Sequence, residues 1–372
     1  MDIKDSVVRF YIQNFIINKS QNIEVPGFVF FKLSGKTPIF VRQVIMPEDF
    51  FIYLEELLAK RGTDAQKSMY SAGKKFGYRF ALLGGFSTIK DKRGKDFVDY
   101  INIINKFIEG TYASKIECTV NLDYKVCTYS VENFIAINKL GYGYFLPLGA
   151  AAGLMSYVFQ DPSIEGVLEE FTKIEGKAVL TYAPSEYLKK NNKDYFSETV
   201  LSHLDPPNEY IDLNTVRPLN YSDYSLKRLL DSGFFSFNKG IIMNKGERYF
   251  ILEVSALYFI EKYLNEYPKE IYDSAFKSGV SMLKNIEGKS IKTVTDYLSA
   301  FGWGDILITK HKEGYMVNVN YFPYTEFYKD IKYAIFSGLL AGMLSTITNE
   351  NISFSRIDKS LSDGYLTVSF FS

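Results

Sequence analysis

Few residues in this chain could do chemistry. Its 372 residues include two cysteines, Cys118 and Cys127, and two histidines, His203 and His311. A zinc site asks for about four clustered Cys or His ligands, and no CxxC or HxxxH spacing occurs. A haem would want an axial His on a helix facing an apolar pocket. His311 instead sits in TKHKEGY and His203 in a proline-bearing segment, both settings for a solvated imidazole. A Ser or Cys nucleophile needs a base beside it, and there is no G-x-S-x-G elbow. Gly141 and Gly143 in KLGYGYF lack the Lys-Ser/Thr of a phosphate loop, and Gly84-Gly85 follows a helical pattern where a phosphate site would precede one. The expectation is therefore a protein without catalytic residues, metal or cofactor.

Three weaker features remain. KIECTVNLDYKVCTYS reads as a hairpin. If its turn is centred between Leu122 and Asp123, Cys118 and Cys127 face each other, as two half-buried thiols, a cross-strand disulfide or a two-ligand metal contact. Glu55 and Glu261 read as solvent-facing charges on amphipathic helices. Lys90, Lys92, Arg93 and Lys95 form a basic loop, with Lys74 or Lys75 joining it if the loop folds back; this is a solvated loop or a nucleic-acid contact.

The bulk numbers narrow the class. Lys plus Arg and Asp plus Glu are 43 each, so the chain lacks the basic excess of a protein that coats nucleic acid. The N-terminus shows no secretory pattern, and the apolar runs at 144–159 and 333–347 fall short of the roughly 20 residues that span a bilayer. A cytoplasmic protein is expected, and five glutamines among many Ile, Lys and Tyr residues lean towards a thermophile. Aromatic residues make up 16% of the chain, most of them expected in the core, and a helix that sets small residues beside flanking aromatics, as in YGYFLPLGAAAGLMSYVF, can leave an apolar ligand cavity between helix and sheet.

The elements that must position these residues come in two copies. Set Gly27-Phe-Val-Phe-Phe on Gly233-Phe-Phe-Ser-Phe, and without a gap Arg42 falls on Arg248, Glu55 on Glu261, Ser68 on Ser274, Tyr70 on Phe276 and Gly73 on Gly279. KFIEG at 106–110 then matches AFGWG at 300–304, and GAAAGLMS from Gly149 matches GLLAGMLS from Gly338. The first copy is longer in two places, both in loops. Each copy reads as β-β-α-α-α-β-β-α-β. The fold class is α+β: two repeated units, each an antiparallel sheet with helices packed on it, arranged as an intramolecular pseudodimer. The domains are 1–184 with an N-terminal helix, a proline-containing connector at 185–232, and 233–372. Gly149 and Gly153, and Gly338 and Gly342, share a helix face where another backbone can approach closely.

A helix with Tyr70-x-x-Gly73 or Phe276-x-x-Gly279, a Gly302-Trp303-Gly304 corner, an apolar G-x-x-x-G-x-x-S helix and a strand after Gly176 or Gly364 together resemble the 4-vinyl reductase domain family, which is similar in fold to TRAPP trafficking subunits and haem nitric-oxide-binding domains. The resemblance covers nearly the whole chain apart from the N-terminal helix and connector. It implies a small-molecule-binding or regulatory module, often dimeric. Many members carry two cysteines near their C-terminus; here Thr172 and Leu180, and Ser360 and Val368, stand at those positions, so the resemblance implies no thiol-metal or redox role.

The combined expectation is a non-enzymatic sensor that binds a small apolar ligand and a protein partner, with Tyr70, Phe76, Tyr144, Met155, Phe276 and Trp303 as pocket residues. The alternative is a scaffold or inhibitory factor that docks on a large transcription or trafficking machine, its pockets filled by its own side chains.

Overall fold

The computed structural model describes residues 21–33, 39–136, 144–172, 176–197, 221–238, 241–284, 286, 288–326, 331–360 and 365–371. The expected N-terminal helix, His203, Gly141, Gly143 and most of the connector's prolines lie outside them.

The first unit runs β1 (Gln21–Asn22), β2 (Val29–Leu33), β3 (Ile39–Pro47), α1 (Glu48–Arg61), α2 (Thr63–Leu83), α3 (Gly94–Tyr112), β4 (Lys115–Asn121), β5 (Val126–Glu132), α4 (Phe145–Val158), β6 (Ile164–Thr172) and β7 (Lys177–Pro184). Two short helices lie in the connector, α5 (Ser185–Lys190) and α6 (Leu226–Asp231). The second unit repeats the order: β8 (Ser236–Asn238), β9 (Ile241–Asn244), β10 (Glu247–Glu253), α7 (Val254–Tyr263), α8 (Pro268–Lys284), α9 (Ile291–Ala300), β11 (Asp305–His311), β12 (Gly314–Asn320), α10 (Ala334–Thr348), β13 (Ser353–Ser360) and β14 (Tyr365–Phe371).

Each unit has its own four-stranded antiparallel sheet, in the order β4-β5-β7-β6 or β11-β12-β14-β13, and a six-stranded sheet, β1-β2-β3-β10-β9-β8, runs across both. The joint between the units is the antiparallel pair β3–β10, where Ile45 lies opposite Ile251. These residues are equivalent in the repeat, so a twofold axis passes through their pairing and the chain is its own pseudodimer. The same symmetry crosses the helices: α1 packs on α8, and α7 on α2. It also crosses the repeat's two buried arginines. Arg42 donates to the Gly302 carbonyl of the second unit at 3.4 Å, and Arg248 donates to the Tyr112 and Asn133 carbonyls of the first, both at 2.9 Å.

Within each unit the small-residue helix lies against the second helix with almost no side chain between. A Cβ added at Gly149 would overlap the Tyr70 carbonyl, and one at Gly153 the Lys74 carbonyl; Gly73 and Gly77 meet Leu146 and Ala150 from the other side. In the second unit Gly342 meets the Phe276 carbonyl, Gly338 meets Tyr272 and Gly279 meets Leu339. Glycine is required because backbone stands where its side chain would be.

Four details differ from the sequence reading. The contacts of the glycine helices set Tyr70 on Tyr272 and Gly77, not Gly73, on Gly279, one helical turn from the expected register. Each unit has two more strands than expected: β6 and β13 pair on the outer side of β7 and β14, and β1 and β8 form the two edges of the six-stranded sheet. GFFSF does not take the place of GFVFF. Lys245 and Gly246, with φ of 45° and 91°, make a tight two-residue turn that folds Ile241–Asn244 back beside β10 and pushes β8 to the sheet's edge. KFIEG and AFGWG are not equivalent either, because α3 runs on to Tyr112 while α9 stops at Ala300. The strands that follow begin at Lys115 and Asp305, which sets Tyr112 on Gly302 and Ala113 on Trp303.

Candidate functional site

The N-terminus of α4 is built around a buried carboxylate. Phe51 precedes Glu55 by four residues and Leu58 follows by three, so Glu55 sits on the apolar stripe of α1 and is 2% exposed. Its Oε atoms accept the backbone N–H groups of Tyr144, Phe145 and Leu146, the last two at 3.1 and 3.2 Å. Glu261 does the same for α10, accepting from Ala334 and Ile335 at 3.0 and 3.1 Å. Both are internal helix caps, and the reading of solvent-facing charge is corrected. Burial raises both carboxyls to about 7 against the opposing pull of these backbone bonds. A carboxyl so shifted is a functional signal in many proteins, but here both units share it, which ties it to the fold.

What the units do not share is space. Between α2, α4, the β5–β7 face and the crossing strand β10, the first unit holds a partly open cavity of about 190 Å³. Its wall is apolar, formed by Phe76, Phe80, Ile108, Phe134, Leu154 and Met155 among others, and β10 of the second unit closes one side with Phe250, Ile251, Leu252 and Glu253. Small residues hold it open: Ala136 after β5, and Pro147, Ala150 and Ala151 on α4.

In the second unit the equivalent positions carry large side chains. Register after β12 sets Tyr324 where Ala136 stands, and the Glu55 and Glu261 caps align Phe336 with Pro147 and Leu339 and Leu340 with Ala150 and Ala151. Trp303 takes the place of Ala113. These replacements touch one another. The Trp303 ring stacks on Phe336 with centroids 5.4 Å apart, lies 6.2 Å from Tyr324, and Phe322 packs edge-on to Phe336 at 5.0 Å. Trp303, Phe336, Leu339 and Leu340 are fully buried. One architecture thus carries a cavity in its first copy and a plug of aromatic and leucine side chains in its second.

Of the pocket residues expected from sequence, Phe76, Tyr144 and Met155 line the cavity. Tyr70 does not; its hydroxyl donates to Glu165 at 2.6 Å and accepts the Gly166 N–H at 2.9 Å. Lys74 completes that buried cluster, 2.8 Å from Glu165, so it cannot join the basic loop. Trp303 fills space, and Phe276, half-buried beside Tyr272, lies away from the cavity. The wall contributed by β10 has no signal in the sequence, since which strand crosses the axis depends on pairing between distant segments.

The cysteines are free thiols, Cys127 buried and Cys118 half-buried. The hairpin turn is centred one residue later than expected, so Cys118 lies opposite Tyr129 and Cys127 opposite Val120. The thiols are diagonal on one face, not opposed, and Cys118 is lowered from the ordinary thiol range by a hydrogen bond with Cys127. Lys90, Arg93 and Lys95 are exposed. The loop they share is pinned by Asp91, whose carboxylate accepts from the Thr88 N–H at 2.7 Å, and Lys92 lies 5.5 Å over the Tyr100 ring.

Among the described residues no cluster of three or more His, Cys, Asp or Glu could hold a metal ion, and no helix is long and apolar enough to cross a membrane. No family model matches the chain, and no curated protein matches it.

Proposed function

We propose that this chain is a non-enzymatic, cytoplasmic ligand-binding regulatory protein in which the first unit takes a small apolar molecule and the second has become a rigid partner. The observation that carries this reading is the contrast of Ala113, Ala136, Pro147, Ala150 and Ala151 with Trp303, Tyr324, Phe336, Leu339 and Leu340. Packing to crystal-like density is the norm for protein interiors, and one copy reaches it with large side chains at the positions where the other keeps small ones. A cavity of about 190 Å³ is somewhat larger than the roughly 150 Å³ that admits benzene in an engineered core. It suits a molecule of one or two rings or a short chain, and is too small for a tetrapyrrole or a two-chain lipid. Because β10 forms part of the wall, occupancy bears directly on the joint between units, which gives a bound molecule a route to surfaces a protein partner would read. The resemblance to 4-vinyl reductase domains points the same way, towards a dimeric small-molecule module. The filled second unit favours scaffolding for that half of the molecule.

Native mass spectrometry on protein purified from its own cell, with extraction under denaturing conditions alongside, tests the proposal. One small apolar molecule per chain is expected, lost when Ala150 and Ala151 are both replaced by Leu. A stoichiometric large partner with no small molecule in either form would overturn it in favour of the scaffold.

A further inference from the structure

The cavity's few polar atoms specify more than size. Gln43, on β3, and Glu253, on β10, both line it, as does Tyr144 at the start of α4. All three residues are at least nine-tenths buried, at 9%, 3% and 3% exposure. Among the described residues, Gln43 Oε1, Glu253 Oε2 and the Tyr144 hydroxyl have no hydrogen-bond partner. A buried polar atom left so costs about 1–3 kcal/mol, and such atoms are few in native proteins. Trp303 Nε1 and the Tyr324 hydroxyl are in the same condition, but they belong to the packed aromatic plug of the second unit.

The repeat separates a structural role from a ligand-directed one. Across the axis, Tyr249 stands at the position of Gln43 and Pro47 at that of Glu253. The polar pair therefore accompanies the cavity and is absent from the plugged copy, unlike the capping glutamates that both copies keep. The charge on Glu253 is already balanced, since its Oε1 receives the Arg79 guanidinium at 2.6 Å, with both side chains buried. What remains at Oε2 is an acceptor. Among the described residues neither Lys nor Arg lines the cavity, so a carboxylate or phosphate head would find no cation in its wall.

Resting on the ligand-binding reading above, we infer that the first unit selects a neutral apolar molecule that carries an N–H or O–H donor, which Glu253 and Gln43 receive beside the Tyr144 hydroxyl. Gln43 and Glu253 lie directly opposite each other across the β3–β10 pair, and two acceptors so placed in a largely apolar wall discriminate strongly against an isostere lacking the donor because they would stay unpaired.

Calorimetric titration of the full chain with three probes of one shape tests this: indole, which has an N–H donor, benzofuran, which has an acceptor oxygen there, and indene, which has neither. Indole is expected to bind at least about tenfold more tightly than the other two. Gln43→Leu and, separately, Tyr144→Phe should each narrow that ratio, with melting curves run on both variants to show that they fold. Equal binding of all three probes would overturn the donor inference and leave the ligand-binding reading standing. Binding of none would overturn both.

Discussion

The two units share their frame and differ in what they do with the space inside it. In both, a buried glutamate caps the glycine helix, glycines let that helix touch its neighbour backbone to backbone, and an arginine crosses the axis to the other unit's carbonyls. Those features are what the fold needs. The first unit departs by keeping small residues around a chamber and by placing acceptors in its wall; the second departs by filling the chamber with Trp303, Tyr324, Phe336 and two leucines. Duplication thus supplies an internal control, because a feature present in both copies serves the architecture and a feature present in one is a candidate for function.

The largest effect should fall on what is shared. Gly149→Leu or Gly342→Leu is expected to prevent folding, because in each case backbone of the neighbouring helix occupies the side chain's place. Circular dichroism and thermal melts would check this, and a stable variant of either would break the symmetry argument. Next comes the plug: Leu340→Ala should destabilise the protein by about 2–5 kcal/mol by opening a cavity in a dense core, whereas Ala151→Leu in the first unit should cost far less or stabilise. Denaturant titrations of the two variants would sharpen the contrast, and equal losses would contradict it.

A smaller effect concerns pH. Glu55 and Glu261 are both raised from an ordinary 4.5 to about 7, chiefly by burial. Between those values the folded chain holds protons that the unfolded chain has released, so their contribution to stability is greatest below about 4.5, declines as pH rises to about 7, and is flat above it. Glu55→Gln should remove part of that slope and Glu261→Gln a comparable part, seen in melting temperature against pH; a slope unchanged in both variants would show that other groups set it. The smallest effect is expected at Lys90, Arg93 and Lys95, where substitution by alanine should change stability by no more than about 0.5 kcal/mol and leave ligand binding untouched in the same assays.

The duplication was legible at GAAAGLMS and GLLAGMLS, whose glycines are fixed by close backbone contacts, while the matches at GFVFF, Gly73 and KFIEG were out of register. The edge strands β6 and β13 were not legible. Ile164–Thr172 mixes acids into its run and Ser353–Ser360 is largely polar, as edge strands tend to be, and that erases the alternation that marks a strand. The capping glutamates had a visible signal, since Glu55 lies in register with Phe51 and Leu58, and Glu261 with Leu257 and Leu264. A charge on an apolar stripe asks for a partner, but the partner here, a distant helix N-terminus, carries no side-chain signature. The cavity itself was half legible. GAAAGLMS and GLLAGMLS already show two alanines against two leucines, but the shift that brings Trp303 onto Ala113 and Tyr324 onto Ala136 depends on helix ends and strand register, which propensity leaves open.

Crystallography under xenon pressure addresses the contrast most directly, because xenon occupies apolar cavities without needing the right ligand. The account predicts one xenon site, in the first unit between α2, α4 and β10, and none within the Trp303–Phe336 cluster. Xenon in both units, or in the second alone, would contradict it.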